Sequence, residues 1–212
     1  IPPLTDEKWM NYFNLYKTIP EYNEQNFNMT LSEFKVIFWW EWAHRQLGRL
    51  IGLSVLIPLI YFTIKNGLWI IKKYGIILLL VCLQGFFGWY MVSSGLVNRV
   101  DVSHYRLSIH LVTAFIILSI VFFFFFQLTK LQVYQISTKL YSVKLFLFLL
   151  FLQLIIGAFV SGMDAGKVYN TWPLMGSSYF PDDTNFIELI NITLFNDPSI
   201  VQFIHRNLAY LI

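Results

Sequence analysis

Five apolar runs dominate this sequence, and each constrains the backbone in the same way. A chain crossing a bilayer finds no water for its N–H and C=O groups, so it crosses as a helix or as part of a closed barrel. The runs, spans A to E, cover about 35–64, 74–92, 105–128, 141–160 and from 199 onward. None shows the period-2 alternation of a membrane strand. The first four reach the roughly 20 apolar residues that a spanning helix needs. Composition agrees: 57% of residues are hydrophobic and 13% charged, against about 25% charged in soluble domains. The fold class that follows is all-α, a polytopic transmembrane helix bundle.

The charges orient it. Lys65, Lys72 and Lys73 lie between spans A and B, and Lys130, Lys139 and Lys144 between C and D, with no acid among them. Of the 12 acidic residues, 11 lie in 1–34, the B–C loop and the D–E loop, and Glu41 alone sits in a span. The positive-inside rule then places residue 1 and the 161–199 loop outside, in a bacterial or mitochondrial inner membrane. The net charge of +3 is carried by short loops, which excludes a nucleic-acid surface. Cys82 is the single cysteine, so no internal disulfide forms. Residues 1–34 read as an outer-side loop, with Ser32 capping span A. The chain starts at Ile1 and stops a dozen or so residues into span E, which reads as a piece of a longer protein.

Polar groups interrupt this apolar pattern at the mouths of the spans. Glu41, His44, Arg45 and Arg49 open span A. Each ionisable group inside a membrane costs about 2.5–3.5 kcal/mol on insertion scales, so a chain that keeps them has a use for them. Glu41, His44 and Gly48 share a helical face, while Glu41 and Arg45 are spaced to pair. Phe203-Ile204-His205-Arg206-Asn207-Leu208 repeats the His-Arg pattern in span E. Counted along their spans, His44, His110 and His205 lie roughly 8–14 Å below the outer surface. Three histidines at one depth suit iron held between imidazoles of facing helices. The plainer alternative is a set of hydrogen-bonded bundle histidines. Zinc lacks the cysteine or carboxylate partners it prefers. His104, at a loop edge, reads as a surface residue. Glu41 either pairs with Arg45 or handles a proton beside the group on His44. Arg45, Arg49, Arg106 and Arg206 either snorkel or clamp carboxylates with their guanidinium forks. Trp39, Trp40 and Trp42 form an interfacial belt or wall a flat ring. A weak repeat relates Gln84-x3-Gly88 to Gln153-x3-Gly157, each followed by Val-Ser, and its small residues permit close helix approach.

Together these motifs resemble a known family. Trp39-Trp40-Glu41-Trp42-x-His44-Arg45-x-Leu47-Gly48-Arg49, Gln84-Gly85-x-x-Gly88-Trp89-x-Met91-Val92-x-Ser94-Gly95-Leu96, Tyr105-Arg106-Leu107-x-x-His110-Leu111, Tyr169-Asn170-Thr171-Trp172-Pro173-Leu174-Met175 and His205-Arg206 are similar to the haem A synthase family, in its alphaproteobacterial and mitochondrial branch. The resemblance implies two four-helix halves. Residues 35–128 would be helices two to four of the N-terminal, haem-substrate half, and 129–212 the start of a truncated cofactor half. It implies an oxidoreductase that converts the C8 methyl of haem O to a formyl group by successive hydroxylations, making haem A for cytochrome oxidase. His44 and His110 would then belong to the substrate site, with Glu41 its acidic neighbour. His205 would be the first ligand of a cofactor haem b, its mate lying beyond Ile212. The arginines and Trp172 are the candidate haem contacts. Some family members carry a cysteine pair in an outer loop, and this sequence has none. Expected partners are haem O and haem A, membrane lipid, haem O synthase and an electron acceptor, with a homo-oligomer allowed and no nucleic acid. The rival reading is a bis-histidine haem b electron carrier or quinone-linked cytochrome. A third is a transporter that uses Glu41 and the arginines as a relay.

Overall fold

The structure, a computed structural model, describes residues 2–95, 100–129, 140–191 and 193–212. Leu96 of the second motif and Lys130 and Lys139 of the C–D loop lie outside them. Two compact units divide the chain, 1–102 and 103–212.

In the first unit the N-terminal segment is not a simple loop. It folds as α1 (Asp6–Tyr16) and α2 (Pro20–Glu24). Thr5 caps α1, accepting from the Lys8 N–H, and Asp6 and Glu7 sit in the first turn, where they complement the helix dipole. Trp9, Phe13 and Tyr16 recur at helical spacing and pack on the start of α3 (Leu31–Asn66). The ring centroids of Phe13 and Tyr16 lie 5.3 and 5.0 Å from that of Phe34, and Trp9 lies 5.0 Å from Phe38. The Tyr16 hydroxyl donates to Glu21 at 2.9 Å and accepts from the Asn26 side chain at 2.8 Å. Burial, and then the bond to Glu21, push this hydroxyl up to about 12, so it stays a donor at physiological pH.

The cap of α3 is Thr30, not Ser32. The Thr30 N–H donates to Glu33 at 2.8 Å while the Glu33 N–H donates to the Thr30 hydroxyl, a complete capping box. Ser32 lies one residue too far along, inside the helix, with its hydroxyl 2.9 Å from that of Thr30. Span A thus begins four residues earlier than the apolar pattern suggests. Its first two turns belong to the aromatic cap. After Gly67, whose φ of +98° favours a residue without Cβ, the chain returns as α4 (Trp69–Gly95), which packs along α3.

In the second unit α6 (Leu140–Gly162) packs against both α5 (His104–Thr129) and α7 (Pro198–Leu211). Its core is Ile156 and Phe159 of α6 against Val201 and Leu208 of α7. Asp197 caps α7 by accepting from the Ser199 and Ile200 N–H groups at 2.8 and 3.2 Å, with Pro198 in the first turn. Two glycines let the helices approach. A Cβ on Gly162 would fall 2.9 Å from the Cα of His104, and one on Gly157 would fall 3.1 Å from Cε1 of His205. Gly85 of α4, by contrast, faces open space.

The helices α3 to α6 hold four segments, Leu31–Asn66, Trp69–Ser93, His104–Thr129 and Tyr141–Gly162, long and apolar enough to cross a membrane. Their outer faces present large apolar side chains such as Leu50, Leu79, Phe123 and Phe148. In water those faces would be a liability, whereas in hydrocarbon they match the solvent. The protein is an all-α, polytopic membrane protein.

Phe34 joins the cap to α3. Phe34→Ala removes the ring that Phe13 and Tyr16 pack on, a loss of about 3–5 kcal/mol of local stability. Limited proteolysis should then cut within 17–29 well before the rest of the chain.

Candidate functional site

The sequence motifs gather in two places, one in each unit. At the mouth of α3, Arg45 donates to Glu41 at 3.1 Å, with both side chains more than half exposed. The spacing for an ion pair is thus realised, and Glu41 is held one turn from His44. Arg49 donates to Gln46 at 3.0 Å. Trp39 packs against Trp42 at 5.4 Å and Trp9 at 6.0 Å, so it belongs partly to the cap, while Trp40 is exposed. His44 is exposed. Because α3 starts at Leu31, His44 lies roughly 20 Å along its helix. Counted from the end of the two turns that the cap covers, it lies roughly 9 Å along.

The second unit carries a denser arrangement. His110 and His205 sit roughly 9–10 Å from the starts of α5 and α7. His205 faces α6. Its ring lies against Gly157, and the Gln153 side-chain amide nitrogen stands 3.3 Å from the ring Nε2 and donates to the His205 backbone carbonyl at 3.2 Å. The other ring nitrogen, Nδ1, is buried and has no hydrogen-bond partner among the described residues. Val201 and Leu208 share this face of α7 with it.

The neighbouring face of α7 holds the 161–199 loop. Gln202 is buried. It accepts from the Tyr169 N–H at 3.2 Å and donates to the Tyr169 carbonyl at 2.8 Å. Arg206 donates to the carbonyls of Thr171 and Tyr169 at 2.9 and 2.7 Å. Ser199 donates to Asp183 at 2.8 Å, and Asp183 also accepts from the Tyr169 hydroxyl at 2.7 Å. The Trp172 indole N–H donates to the Tyr210 hydroxyl at 2.7 Å, leaving the ring exposed. Gly176, with φ +87°, sits where a Cβ would collide with Asp182, whose carboxylate accepts from Ser177 and Ser178. Desolvation opposes the charge on Asp183, but its bonds from Tyr169 and Ser199 hold its carboxyl below the usual range.

Several sequence expectations change here. His104 is not a surface residue. It is buried at the start of α5, 5.1 Å from the Phe159 ring and against Gly162. The glycine's missing side chain makes the pocket that takes it. The long 161–199 loop is not featureless: three short 3₁₀ turns, Ala165–Lys167, Phe186–Ile190 and Leu194–Asn196, fold it back on α7. Arg206 is engaged by two loop carbonyls. Arg106 stands half-buried in the first turn of α5. Gln202 was passed over in the sequence, although it stands three residues before His205 as Glu41 stands before His44. Gln153 shows in the sequence only as half of a repeat.

The model of the family described as cytochrome oxidase assembly protein matches residues 1–212. The chain belongs to this family. A haem A synthase of Pelagibacter ubique is 49% identical to this family member over 214 residues, covering 100% of this chain and 64% of the relative. One from Rickettsia bellii is 46% identical over 226 residues, covering 99% of this chain and 64% of the relative. One from Wolbachia pipientis is 41% identical over 220 residues, covering 100% and 62%. The chain therefore spans just under two thirds of the length of these curated relatives. No solved structure matches it.

Asp183 gives the strapped loop a pH dependence. Its folded carboxyl titrates below the unfolded one, so the stabilisation is complete above the ordinary value of about 4 and is lost as pH falls through the lowered folded value. Amide exchange in 166–185 should rise over that acid window, and Asp183→Asn should flatten the dependence. Arg206→Met strands the Thr171 carbonyl and leaves the Tyr169 carbonyl to Gln202 alone, and loop protection should drop by about 1–3 kcal/mol at neutral pH.

Proposed function

We propose that this chain is the haem-holding part of a haem A synthase, which oxidises the C8 methyl of haem O, its substrate, to the formyl of haem A. The relatives that match over the chain's whole length bear that name. The observation that carries the proposal is the environment of His205. Its ring sits in a glycine-made gap with a buried Nδ1 that meets no polar partner among the described residues. An imidazole so placed is incomplete on its own, since burying an unpaired polar atom costs about 1–3 kcal/mol. Iron ligation is one way a histidine is completed.

On this reading His205 holds a resident haem b, which supplies one-electron redox chemistry when bound. His44 and His110 would each offer an imidazole to the iron of haem O. Oxidising a methyl to a formyl takes oxygen from water and releases protons and electrons, so the site needs a proton acceptor that meets water. Glu41 is the carboxylate available. Its ion pair with Arg45 lies on the open surface of the chain, with both side chains more than half exposed. Arg45 therefore orients the carboxylate without locking it away from a proton. Arg45 and Arg49 keep only exposed ties along their own helix, to Glu41 and Gln46, and with Arg106 are the candidates to clamp haem propionates. Arg206 braces the loop that carries Trp172, whose exposed ring offers a flat face to the porphyrin. The apolar outer surface of the spans gives a lipid-soluble substrate a path from the bilayer.

The wider frame follows from the same reading. The His-Arg helices stand in two related halves, with their mouths and the 161–199 loop on the outer side of a bacterial or mitochondrial inner membrane. Haem O synthase supplies the substrate, and a separate acceptor takes the electrons. The methyl is oxidised in successive hydroxylations.

The test is haem O conversion by the full-length protein in membranes. Wild type forms haem A. Glu41→Gln should lower turnover by about 10²–10⁴, the usual worth of a positioned acid–base group, at unchanged haem content. Wild-type membranes that form no haem A would refute the function, and full turnover in Glu41→Gln would refute the role of the carboxylate.

A further inference from the structure

We propose that the 3₁₀ turn Phe186–Ile190 anchors the 161–199 loop to the membrane, its apolar edge seated in the boundary between headgroups and acyl chains beside the mouths of α5 and α6. This anchor depends on the spans and not on which group the histidines hold.

A 3₁₀ helix has about three residues per turn, so residues three apart stand one above the other. Ile187 and Ile190 form one edge of this turn and are 74% and 85% exposed, and Phe186 beside them is 68% exposed. Asn185, Glu188 and Asn191 form a polar edge, where the Asn191 side chain donates to Glu188 at 3.1 Å. The backbone between the edges is satisfied, since the Glu188 and Asn191 N–H groups donate to the carbonyls of Asn185 and Glu188 at 2.9 and 3.2 Å. Two ties fix the level of the turn. The neighbouring turn Leu194–Asn196 is held at the mouths of two spans. There the Tyr105 hydroxyl, in the first turn of α5, donates to Asn196 at 3.1 Å, and the Phe195 ring lies 5.6 Å from that of Phe159, in the last turn of α6. On the other side Phe186 stacks on Phe180 at 4.0 Å, and Phe180 lies 5.0 Å from Phe203, roughly 8 Å along α7. The exposed edge therefore stands level with the ends of apolar spans, where a bilayer passes from headgroups to hydrocarbon. Amphipathic segments lie in that layer with the apolar side inward. Residues 182–191 hold the acids Asp182, Asp183 and Glu188 and no lysine or arginine, so anionic headgroups offer no hold and apolar insertion must supply it. Three side chains also fall short of a stable protein interface, which buries about 1,200–2,000 Å². Seated in the boundary layer, the turn keeps the strapped loop, and Trp172 with it, at a fixed depth along α7.

The experiment places one nitroxide label at a time on full-length protein in phosphatidylcholine nanodiscs. The labels are attached through Ile187→Cys and Ile190→Cys on the apolar edge and through Asn185→Cys and Asn191→Cys on the polar edge, with Cys82 and any other native cysteine changed to serine. All four positions lie on exposed side chains, so the substitutions leave the core in place. Power saturation reads collisions with oxygen, which concentrates in hydrocarbon, and with a water-soluble nickel chelate. The oxygen-to-nickel ratio should be several-fold higher at positions 187 and 190 than at 185 and 191. That contrast should persist when phosphatidylglycerol is added. Nickel dominating at all four positions puts the turn in water and overturns the proposal. Exclusion of both reagents at 187 and 190 means that protein covers the edge, whether the rest of the chain or a second copy, and overturns it as well. A contrast that appears only with phosphatidylglycerol makes charge the hold and refutes apolar insertion.

Discussion

Where α7 meets α6, a glycine at 157 makes a gap that an imidazole fills, and a glutamine one turn earlier ties that imidazole down. Much of the second unit depends on this close approach. It brings Ile156 and Phe159 against Val201 and Leu208. It also turns the adjacent face of α7, with Ser199, Gln202 and Arg206, toward the 161–199 loop. Membrane helices have little hydrophobic drive to associate with each other, so small residues and interhelical hydrogen bonds carry the contact. Here both are used at one point. Gly162 repeats the device one turn and a half later, where it admits His104 of α5.

The two His-Arg helices use one motif in opposite ways. In α3 the residue three before the histidine is Glu41, exposed and loosely paired with Arg45. In α7 it is Gln202, buried and bonded to both backbone groups of Tyr169. Arg45 pairs along its own helix, whereas Arg206 crosses to the loop carbonyls. A carboxylate could not replace Gln202 without losing its donor to the Tyr169 carbonyl. The difference fits a division of labour in which one helix handles protons at a substrate and the other holds a resident group in a braced wall.

The spans were legible because length and apolar content decide them almost alone. Their ends were not, since caps depend on single hydrogen bonds. Thr30 and Ser32 are both good cap residues, and only the reciprocal bond with Glu33 chooses between them. The N-terminal helices were hidden by the prolines and asparagines around them, although Trp9, Phe13 and Tyr16 already carried a helical period. His104 was misplaced because burial at a loop edge depends on a glycine on another helix. The Glu41–Arg45 pair, by contrast, was offered by the i,i+4 spacing, and the structure forms it. The environment of His205 was not legible, since nothing in the spacing shows that Gln153 reaches it.

The central claim is that the His-Arg helices serve two different haems, one resident and one undergoing chemistry. The most direct measurement is the pigment extracted from the full-length protein, purified from membranes that also make haem O and separated by chromatography. The account requires haem b together with haem O, haem A or a hydroxylated form between them. Haem b as the only pigment would contradict it and make the protein a bis-histidine electron carrier.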